Sequence, residues 1–201
     1  MGKRPYRMKK RAEARDETRE RILKATMQLH DEKGVATTTF SDVAERAQVG
    51  AATVYRNFPT IDALIAACGM HVWQDMRPPV PQEAPAVFEG LATRAARLQC
   101  LVETLDDFYR RGEFRLVRAG HDRHRVAGLD FFLTQVEAGV EALVREALAQ
   151  EASEDEVQLV LALTDLRVWL SLQRLRLSKA ELCDFILGLI ATARVRRDMN
   201  A

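Results

Sequence analysis

The amino-acid sequence predicts an all-α protein. Apolar residues recur at the spacing of one helix face through most of the chain. Alanine, leucine, glutamate and arginine, which are strong helix formers, are abundant. No segment shows the alternation of apolar and polar residues that is typical of a strand. We therefore expect a fold built from helices alone.

The composition is that of an ordinary globular chain. Of its 201 residues, 47% are hydrophobic and 29% are charged, which excludes a disordered or collagen-like protein. The most apolar run, residues 157–172, contains charged residues and is a poor membrane span. The N-terminus lacks the apolar core of a signal peptide, and Cys68, Cys100 and Cys183 form no paired motif. A cytoplasmic protein with no membrane partner is the prediction.

The first third of the chain predicts short helices in quick succession. A helix over 16–33 ends at Gly34, which is suited to the left-handed backbone that follows a helix. Two shorter helices, roughly 40–47 and 51–57, flank a tight turn at 48–50.

Polar residues mark where these helices begin. Thr39 precedes the second helix, and Asp42 follows three residues later, as in a capping box. Pro59 ends the third helix, and Thr60 caps a longer one that runs to about Met76.

The later helices follow from longer apolar stripes and from two S-x-x-E capping boxes, at Ser153 and Ser178. One stripe runs from Phe88 to Tyr109 and predicts a helix that ends near Gly112. Beyond that point the expected helices span about 113–121, 127–150, 153–175 and 178–197.

The two short helices and their turn are typical of a helix-turn-helix. Ala44 and Ala47 are small enough for the helices to cross closely, while Val49 and Val54 hold the second helix on the core. A recognition helix lies in the DNA major groove with its first residues nearest the base edges. The side chains left to face outward are those of Ala51, Ala52, Thr53, Tyr55 and Asn57.

Each outward side chain has an expected contact. The methyl groups of Ala51 and Ala52 can touch a thymine methyl, and Thr53 can donate to a phosphate or a base. The phenol of Tyr55 reaches a phosphate, and Asn57 can bond either a phosphate or an adenine edge.

Basic residues are concentrated before this unit. Residues 1–68 carry a net charge of +4 and residues 69–201 carry −3, and seven of the first fifteen residues are basic. This arm is either a nucleic-acid contact, through Lys9, Lys10 and Arg11, or a solubilising tail. If it contacts DNA, deleting the first twelve residues should weaken operator binding and flatten its salt dependence.

The segment from Asp16 to Ala67 resembles the DNA-binding domain of the TetR/AcrR family of bacterial transcriptional regulators. The resemblance covers about a quarter of the chain and is strongest in the T-hydrophobic-Y-x-x-F core at 53–58, followed by Pro59 and Leu64. The predicted domains are a basic flexible arm (1–15), a three-helix helix-turn-helix DNA-binding domain (16–59) and a helical effector-binding and dimerisation domain (60–201).

Three positions depart from the family pattern. The family usually has glycine where this chain has Gln48, so the turn is expected to hold a non-glycine residue in a left-handed conformation. It often has serine at Gly50, which is a weaker cap. It commonly has lysine at Ile61, which cannot bond a phosphate, so we expect Thr60 and local backbone N–H groups to supply that anchor. The residues expected to contact DNA are Thr39, Ser41, Gly50, Ala51, Ala52, Thr53, Tyr55, Arg56, Asn57, Thr60, Lys9, Lys10 and Arg11.

The resemblance also implies a homodimer that reads the two half-sites of a near-palindrome. In the family, the last two long helices of each subunit form a four-helix bundle. The residues that fit this role are Val160, Leu163, Val168, Leu172, Leu175, Phe185 and Leu189. The alternative is that these helices are buried within one chain.

The resemblance further implies an effector pocket in the helices over about 60–150, and a neutral or aromatic compound is favoured there. The candidate lining residues, each of which could equally be core, are His71, Trp73, Met76, Leu98, Val102, Leu105, Phe108, Tyr109, Phe131, Phe132, Gln135 and Trp169.

Little in the sequence points to catalysis. His121 and His124 have a spacing that a metal can use, but arginines crowd them, and a polar turn is the favoured interpretation. Nucleophile-elbow, Walker and zinc-protease motifs are absent. We expect no cofactor, no metal and no enzymatic activity.

The leading prediction is a ligand-responsive, dimeric transcriptional repressor that binds a palindromic operator and is released by a small molecule. One alternative is a DNA-binding regulator without a small-molecule effector, which is constitutive or controlled by a protein partner. Another is an enzyme or carrier built on a helical bundle.

Overall fold

The computed structural model describes residues 3–149 and 152–198, and within these residues it is all-α, which confirms the predicted fold class. Short 3-10 turns lie at Pro81–Glu83 and Arg123–Arg125. The α-helices are α1 (Lys3–Lys33), α2 (Phe40–Arg46), α3 (Ala51–Asn57), α4 (Ile61–Met76), α5 (Ala84–Val87), α6 (Arg94–Asp122), α7 (Ala127–Leu148), α8 (Glu154–Leu163), α9 (Leu166–Gln173) and α10 (Lys179–Asp198).

The chain divides into two compact units. Unit 1 comprises Met1–Asp75 and Phe114–Leu133, and unit 2 comprises Met76–Glu113 and Thr134–Ala201. The predicted boundary at 59/60 separates α3 from α4, whereas unit 1 includes almost all of α4 and the adjoining parts of α6 and α7.

Unit 1 is built around the apolar faces of α1 to α4. Val43, Ala44, Ala47 and Val54 are buried as predicted. Burying a side chain such as valine or leucine stabilises a fold by roughly 1.5–3 kcal/mol, so this cluster fixes how the short helices cross. Its members are Ile22, Leu23, Ala25, Leu29, Val43, Ala44, Ala47, Val54, Phe58, Leu64 and Cys68.

The α1–α2 loop is fixed by a carboxylate from the end of α6, also within unit 1. The backbone N–H of Ala36 donates to Asp122 Oδ2 over 3.0 Å. Gly34 has a φ of +92°, and a Cβ there would lie 2.9 Å from the same oxygen. The position therefore requires glycine both for its backbone and for the approach of Asp122.

Helix α1 begins at Lys3, well before the predicted start at residue 16. The predicted flexible arm is thus helical from Lys3 onward and continuous with α1. The segment is rich in lysine, arginine and alanine, which favour helix, and Pro5 stands in the first turn, where proline is tolerated.

Helix α6 is longer than predicted at one end and shorter at the other. It runs through Gly112 without a break, because buried residues on both sides, such as Phe108 and Leu116, continue the apolar stripe. It begins only after Thr93, whose hydroxyl accepts from the Ala96 N–H over 3.2 Å. Phe88 is buried in the preceding loop instead.

The predicted helix over 153–175 is two helices. Thr164 ends α8, and the Asp165 side chain accepts from the Arg167 N–H over 2.7 Å to cap α9. The Tyr109 hydroxyl donates to the Thr164 carbonyl over 2.9 Å and holds the break in place. Burial raises the pKa of Tyr109, so the hydroxyl keeps its proton as a donor.

A buried carboxylate ties α6 to α9 in unit 2. Asp106 is 1% exposed and accepts from Trp169 Nε1 and from Arg110 Nε, both over 2.8 Å. In the same unit, Gly139 packs so closely on the backbone of Pro79 that a Cβ would collide with the Pro79 carbonyl. These contacts tie α9 to α6 and pack α7 against the backbone at Pro79.

Candidate nucleic-acid interface

The turn between α2 and α3 has the strained geometry that the sequence predicted. Gln48 has a φ of +53°, which confirms a non-glycine residue in the left-handed region. The backbone closes around it, since the Val49 N–H donates to the Ala44 carbonyl over 3.0 Å. Gly50 then begins α3 in an extended conformation without a side-chain cap.

The start of α2 carries the predicted capping box. The Thr39 hydroxyl accepts from the Asp42 N–H over 3.3 Å, and the Thr39 N–H donates to Asp42 Oδ2 over 2.8 Å. Lys33 also donates to Asp42, and the bonds from Lys33 and Thr39 hold the pKa of that carboxyl well below its usual range. Ser41 is exposed on the first turn of the same helix.

Helix α3 buries one face and exposes the other. Val54 is fully buried, whereas Ala51, Ala52, Tyr55 and Arg56 are exposed. Residues three and four apart are neighbours on a helix surface, so Tyr55 lies beside Ala51 and Ala52, and Arg56 lies beside Ala52. These four residues therefore form one continuous outward surface. We call this surface the reading face.

Tyr55 is held in place while it remains accessible. Its ring is 55% exposed and packs edge-on against Phe40 of α2, with ring centroids 4.7 Å apart. This edge-to-face packing fixes the ring, so the phenol is presented outward in a defined direction.

The polar side chains of α3 form hydrogen bonds within the helix. Arg56 Nη2 donates to Thr53 Oγ1 over 3.1 Å, and Asn57 Nδ2 donates to the Thr53 carbonyl over 2.8 Å. Thr53 and Asn57 are only half-exposed. The predicted base contact from the Asn57 amide would therefore have to compete with this internal bond.

Arg19 is a residue that the sequence reasoning missed. Its Nη1 donates to the Asn57 carbonyl over 3.1 Å, and its guanidinium lies 4.2 Å from the centre of the Phe58 ring. A cation at a helix C-terminus is favourable, so Arg19 fixes the end of α3 from α1. In the sequence, only the position of Arg19 in the helix before the predicted helix-turn-helix could have indicated this contact with α3.

At the start of α4, Thr60 caps the helix as predicted, and the phosphate anchor expected there stays a prediction. The Thr60 hydroxyl accepts from the Ala63 N–H over 3.1 Å, and Ile61 is 37% exposed. Lys9 and Lys10 are exposed on the N-terminal extension of α1. The side chain of Arg11 lies outside the described part of the chain.

The predicted effector residues are divided between the two units. In unit 1, His71, Trp73 and Phe132 are half-buried, and Trp73 packs edge-on against Phe132 with centroids 5.5 Å apart. Phe131 is 69% exposed and Gln135, in unit 2, is also exposed, so neither lies in a closed cavity. Buried in unit 2 are Met76, Leu98, Val102, Leu105, Phe108, Tyr109 and Trp169.

Open cavities of about 580 Å³ and about 500 Å³ lie among the described residues of unit 2. The first is lined by the loop before α6 and by Arg97, and the second by Pro81, Arg145 and their neighbours. Neither is lined by any of the predicted effector residues. Those residues therefore remain a sequence prediction.

The predicted dimer residues differ in accessibility. Leu175, Phe185 and Leu189 are exposed, and Leu163, Val168 and Leu172 are half-buried. Val160 is fully buried within its own chain, because it faces the packed side of α8, and it has no surface to offer a partner.

Among the described residues, no helix is long and apolar enough to cross a membrane. The described fold and the α2–α3 geometry are those of a helix-turn-helix protein, and comparisons with known proteins agree. Residues 22–68 match the sequence profile of the bacterial regulatory proteins of the tetR family.

The chain is 33% identical over 102 residues to the HTH-type transcriptional repressor Rv3405c of Mycobacterium tuberculosis, which is 50% of this chain and 53% of that protein. It is 46% identical over 50 residues to the HTH-type transcriptional regulator YvkB of Bacillus subtilis, 25% of this chain and 26% of that one. The chain thus spans about half the length, or less, of these curated relatives.

The solved structure of the multidrug binding protein EbrR complexed with imidazole superposes with a TM-score of 0.57 at 20% identity, covering 86% of this chain and 89% of that one. This likeness shows a shared fold. The match to the tetR family of bacterial regulatory proteins lies in residues 22–68, which contain α2 and α3.

Proposed function

We propose that the chain is a ligand-responsive, dimeric transcriptional repressor that binds a near-palindromic DNA operator through α2 and α3 and releases it when a small molecule binds. The observation that carries this proposal is the reading face of α3. It is an exposed surface on a helix whose opposite side is locked into the core by Val54.

The reading face suits a DNA groove for steric reasons. Ala51 and Ala52 are small, so the helix backbone can approach base edges closely, and their methyl groups can touch a thymine methyl. Tyr55, Thr60, Thr39 and Ser41 present hydroxyls around this surface for phosphates. Lys9 and Lys10, with Arg11, add cations that supply sequence-independent affinity.

A homodimer is supported by exposed apolar side chains in unit 2. Phe185 and Leu189 lie four residues apart on α10 and share one face, and Leu175 is exposed just beyond α9. Exposed large apolar residues that share a face mark interaction surfaces. A second copy of the chain would bury them and would bring two reading faces to half-sites about 34 Å apart.

Control by a small molecule follows the logic of linkage. A ligand that binds more tightly to the conformation with low DNA affinity must lower DNA affinity by the same coupling energy. The names of two related proteins support this proposal: Rv3405c is a repressor, and EbrR is a multidrug binding protein. The predicted pocket residues are the first candidates for the ligand site.

The second candidate is a regulator without a small-molecule effector, which is constitutive or controlled by a protein partner. This alternative is favoured by the two described cavities, because they are open and none of the predicted effector residues lines them. Binding to DNA that persists through a broad ligand screen would favour it.

The test is binding to DNA from the chain's own upstream region, measured by fluorescence anisotropy. Ala52→Glu places a carboxylate on the reading face and should reduce affinity at least tenfold, because phosphates repel it. The control is Ala95→Glu, the same change at an exposed residue of α6. Equal affinity of the two variants would contradict the proposal.

A further inference from the structure

The reading face contains one arginine, Arg56, and its position points to a specific base. We propose that Arg56 reads a guanine in each half-site of the operator, and that the Thr53 hydroxyl sets the direction of its guanidinium. This inference rests on the proposed function and adds what part of the DNA sequence the site selects.

The first step is the location of the guanidinium along α3. The Arg56 backbone is in the last turn, but its Nη2 donates to Thr53 Oγ1 over 3.1 Å. Long side chains on a helix point back toward its N-terminus, so the charged group lies beside the first half of α3. That half is the part of a recognition helix nearest the base edges.

The second step is the space around the guanidinium. Ala52 lies one turn before Arg56 on the same face and is exposed. Its single methyl group leaves the route from Arg56 toward the groove open. A longer side chain at this position would hold the guanidinium away from the bases.

The third step compares Arg56 with the other polar groups of α3. The Asn57 side-chain amide donates to the Thr53 backbone carbonyl, and the Asn57 backbone is held by Arg19, which donates to its carbonyl. The Tyr55 ring is packed on Phe40. The bond from Arg56 to the Thr53 hydroxyl uses one donor of an exposed guanidinium, so the side chain can contact DNA while this bond is kept.

The fourth step is chemical. Guanine presents two acceptors, O6 and N7, in the major groove, and the planar guanidinium matches them with two parallel N–H donors. The guanidinium has several donors, so it can keep the Thr53 bond and still make this pair. A phosphate would also accept from Arg56, but such a contact carries no sequence preference.

The experiment is selection of bound sequences from a random pool of double-stranded DNA by the full-length protein. The wild type should enrich a two-fold symmetric sequence with a guanine at equivalent positions in both half-sites. Arg56→Ala should lose the preference at those positions and keep the rest of the sequence. Arg56→Lys should weaken the preference, because an ammonium lacks the planar pair of donors. Arg167→Ala, a change at an exposed residue of α9, is the matched control and should select the wild-type sequence.

A second measurement fixes the contact to one atom. Replacing the selected guanines by 7-deazaguanine removes N7 and should lower wild-type affinity about tenfold, since a bidentate pair contributes that order of discrimination. The same replacement should leave Arg56→Ala unaffected. Thr53→Val, which removes the hydroxyl, should lower the guanine preference with the charge retained.

The outcomes separate the two proposals. If Arg56→Ala selects the same sequence as the wild type with uniformly weaker binding, Arg56 contacts a phosphate and the inference is overturned while the proposed function stands. If the wild type enriches no sequence at all, the proposed function fails and this inference fails with it.

Discussion

Gln48 shows the cost of a local departure within a family pattern. With a φ of +53°, it adopts a conformation in which a Cβ crowds the following carbonyl, at a cost of roughly 1–2 kcal/mol. The turn holds because Ala44, Ala47 and Val54 on either side of it are buried. The strain is therefore imposed by the crossing of α2 and α3.

We expect Gln48→Gly to raise the free energy of unfolding by about 0.5–1 kcal/mol, because glycine adopts this backbone without strain. Part of this stabilisation is offset, since glycine also gives the unfolded chain more conformational entropy. The measurement is the urea midpoint. Glu45→Gly, an exposed change inside α2, is the control and should lower stability by about 1 kcal/mol. A decrease for both variants would show that the turn is unstrained.

The protonation of His30 makes the stability of the folded chain depend on pH. Burial lowers the pKa of this side chain to about 4, partly offset by the negative charge of Asp122, and its Nε2 is buried without a hydrogen-bond partner. In the unfolded chain histidine has a pKa near 6.5, so the unfolded state binds the extra proton between pH 6.5 and 4. Stability from neutral His30 is complete above that window and is lost as the pH falls through it.

We therefore expect the wild type to lose about 2 kcal/mol more stability than His30→Gln between pH 7 and pH 4.5. Denaturant unfolding at a series of pH values measures this difference. Parallel curves for the two proteins would mean that the pKa of His30 is the same in the folded and the unfolded chain.

At the scale of elements, the helix-turn-helix was predictable because its signals are local. Thr39 and Asp42, the turn at 48–50 and Pro59 each fix a boundary by short-range chemistry, and α2 and α3 fall where these residues place them. The contact from Arg19 was not predictable, since it joins residues 38 positions apart through packing. The left-handed Gln48 was predicted only because the family pattern has glycine there.

The ends of the longer helices were harder to predict, because packing between distant residues decides them. Gly112 favours a helix end locally, but its buried neighbours carry α6 through it. The apolar stripe of 153–175 hides a break, because Asp165 caps a new helix inside an otherwise continuous pattern. Helical periodicity predicts which side chains are buried, but it does not show whether they pack in the core or line a cavity. The effector residues could therefore not be distinguished from core residues in the sequence.

The break between α8 and α9 yields an element-scale prediction. Asp165→Ala removes the side-chain cap of α9 and should lower the free energy of unfolding by about 1 kcal/mol. Ser171→Ala, within α9, is the control and should have little effect or stabilise slightly, because alanine is the better helix former. Chemical denaturation measures both. Equal values would indicate that α8 and α9 behave as one continuous helix.

At the scale of the whole molecule, the account requires two copies. Phe185→Glu together with Leu189→Glu puts charge on the exposed apolar face of α10 and should convert a dimer to a monomer in sedimentation equilibrium. DNA affinity should fall steeply, because one reading face alone contacts one half-site. Ala191→Glu, at an exposed residue on another side of α10, should remain dimeric. Dimers in both variants would place the subunit interface elsewhere.

The most direct measurement of the central claim is a hydroxyl-radical footprint of the full-length protein on its selected operator. Two protected stretches are expected on one face of the DNA, with centres about 10 base pairs apart, and Ala52→Glu should abolish both. A single protected stretch, or a footprint that Ala52→Glu leaves intact, would show that α3 is not the element that enters the groove.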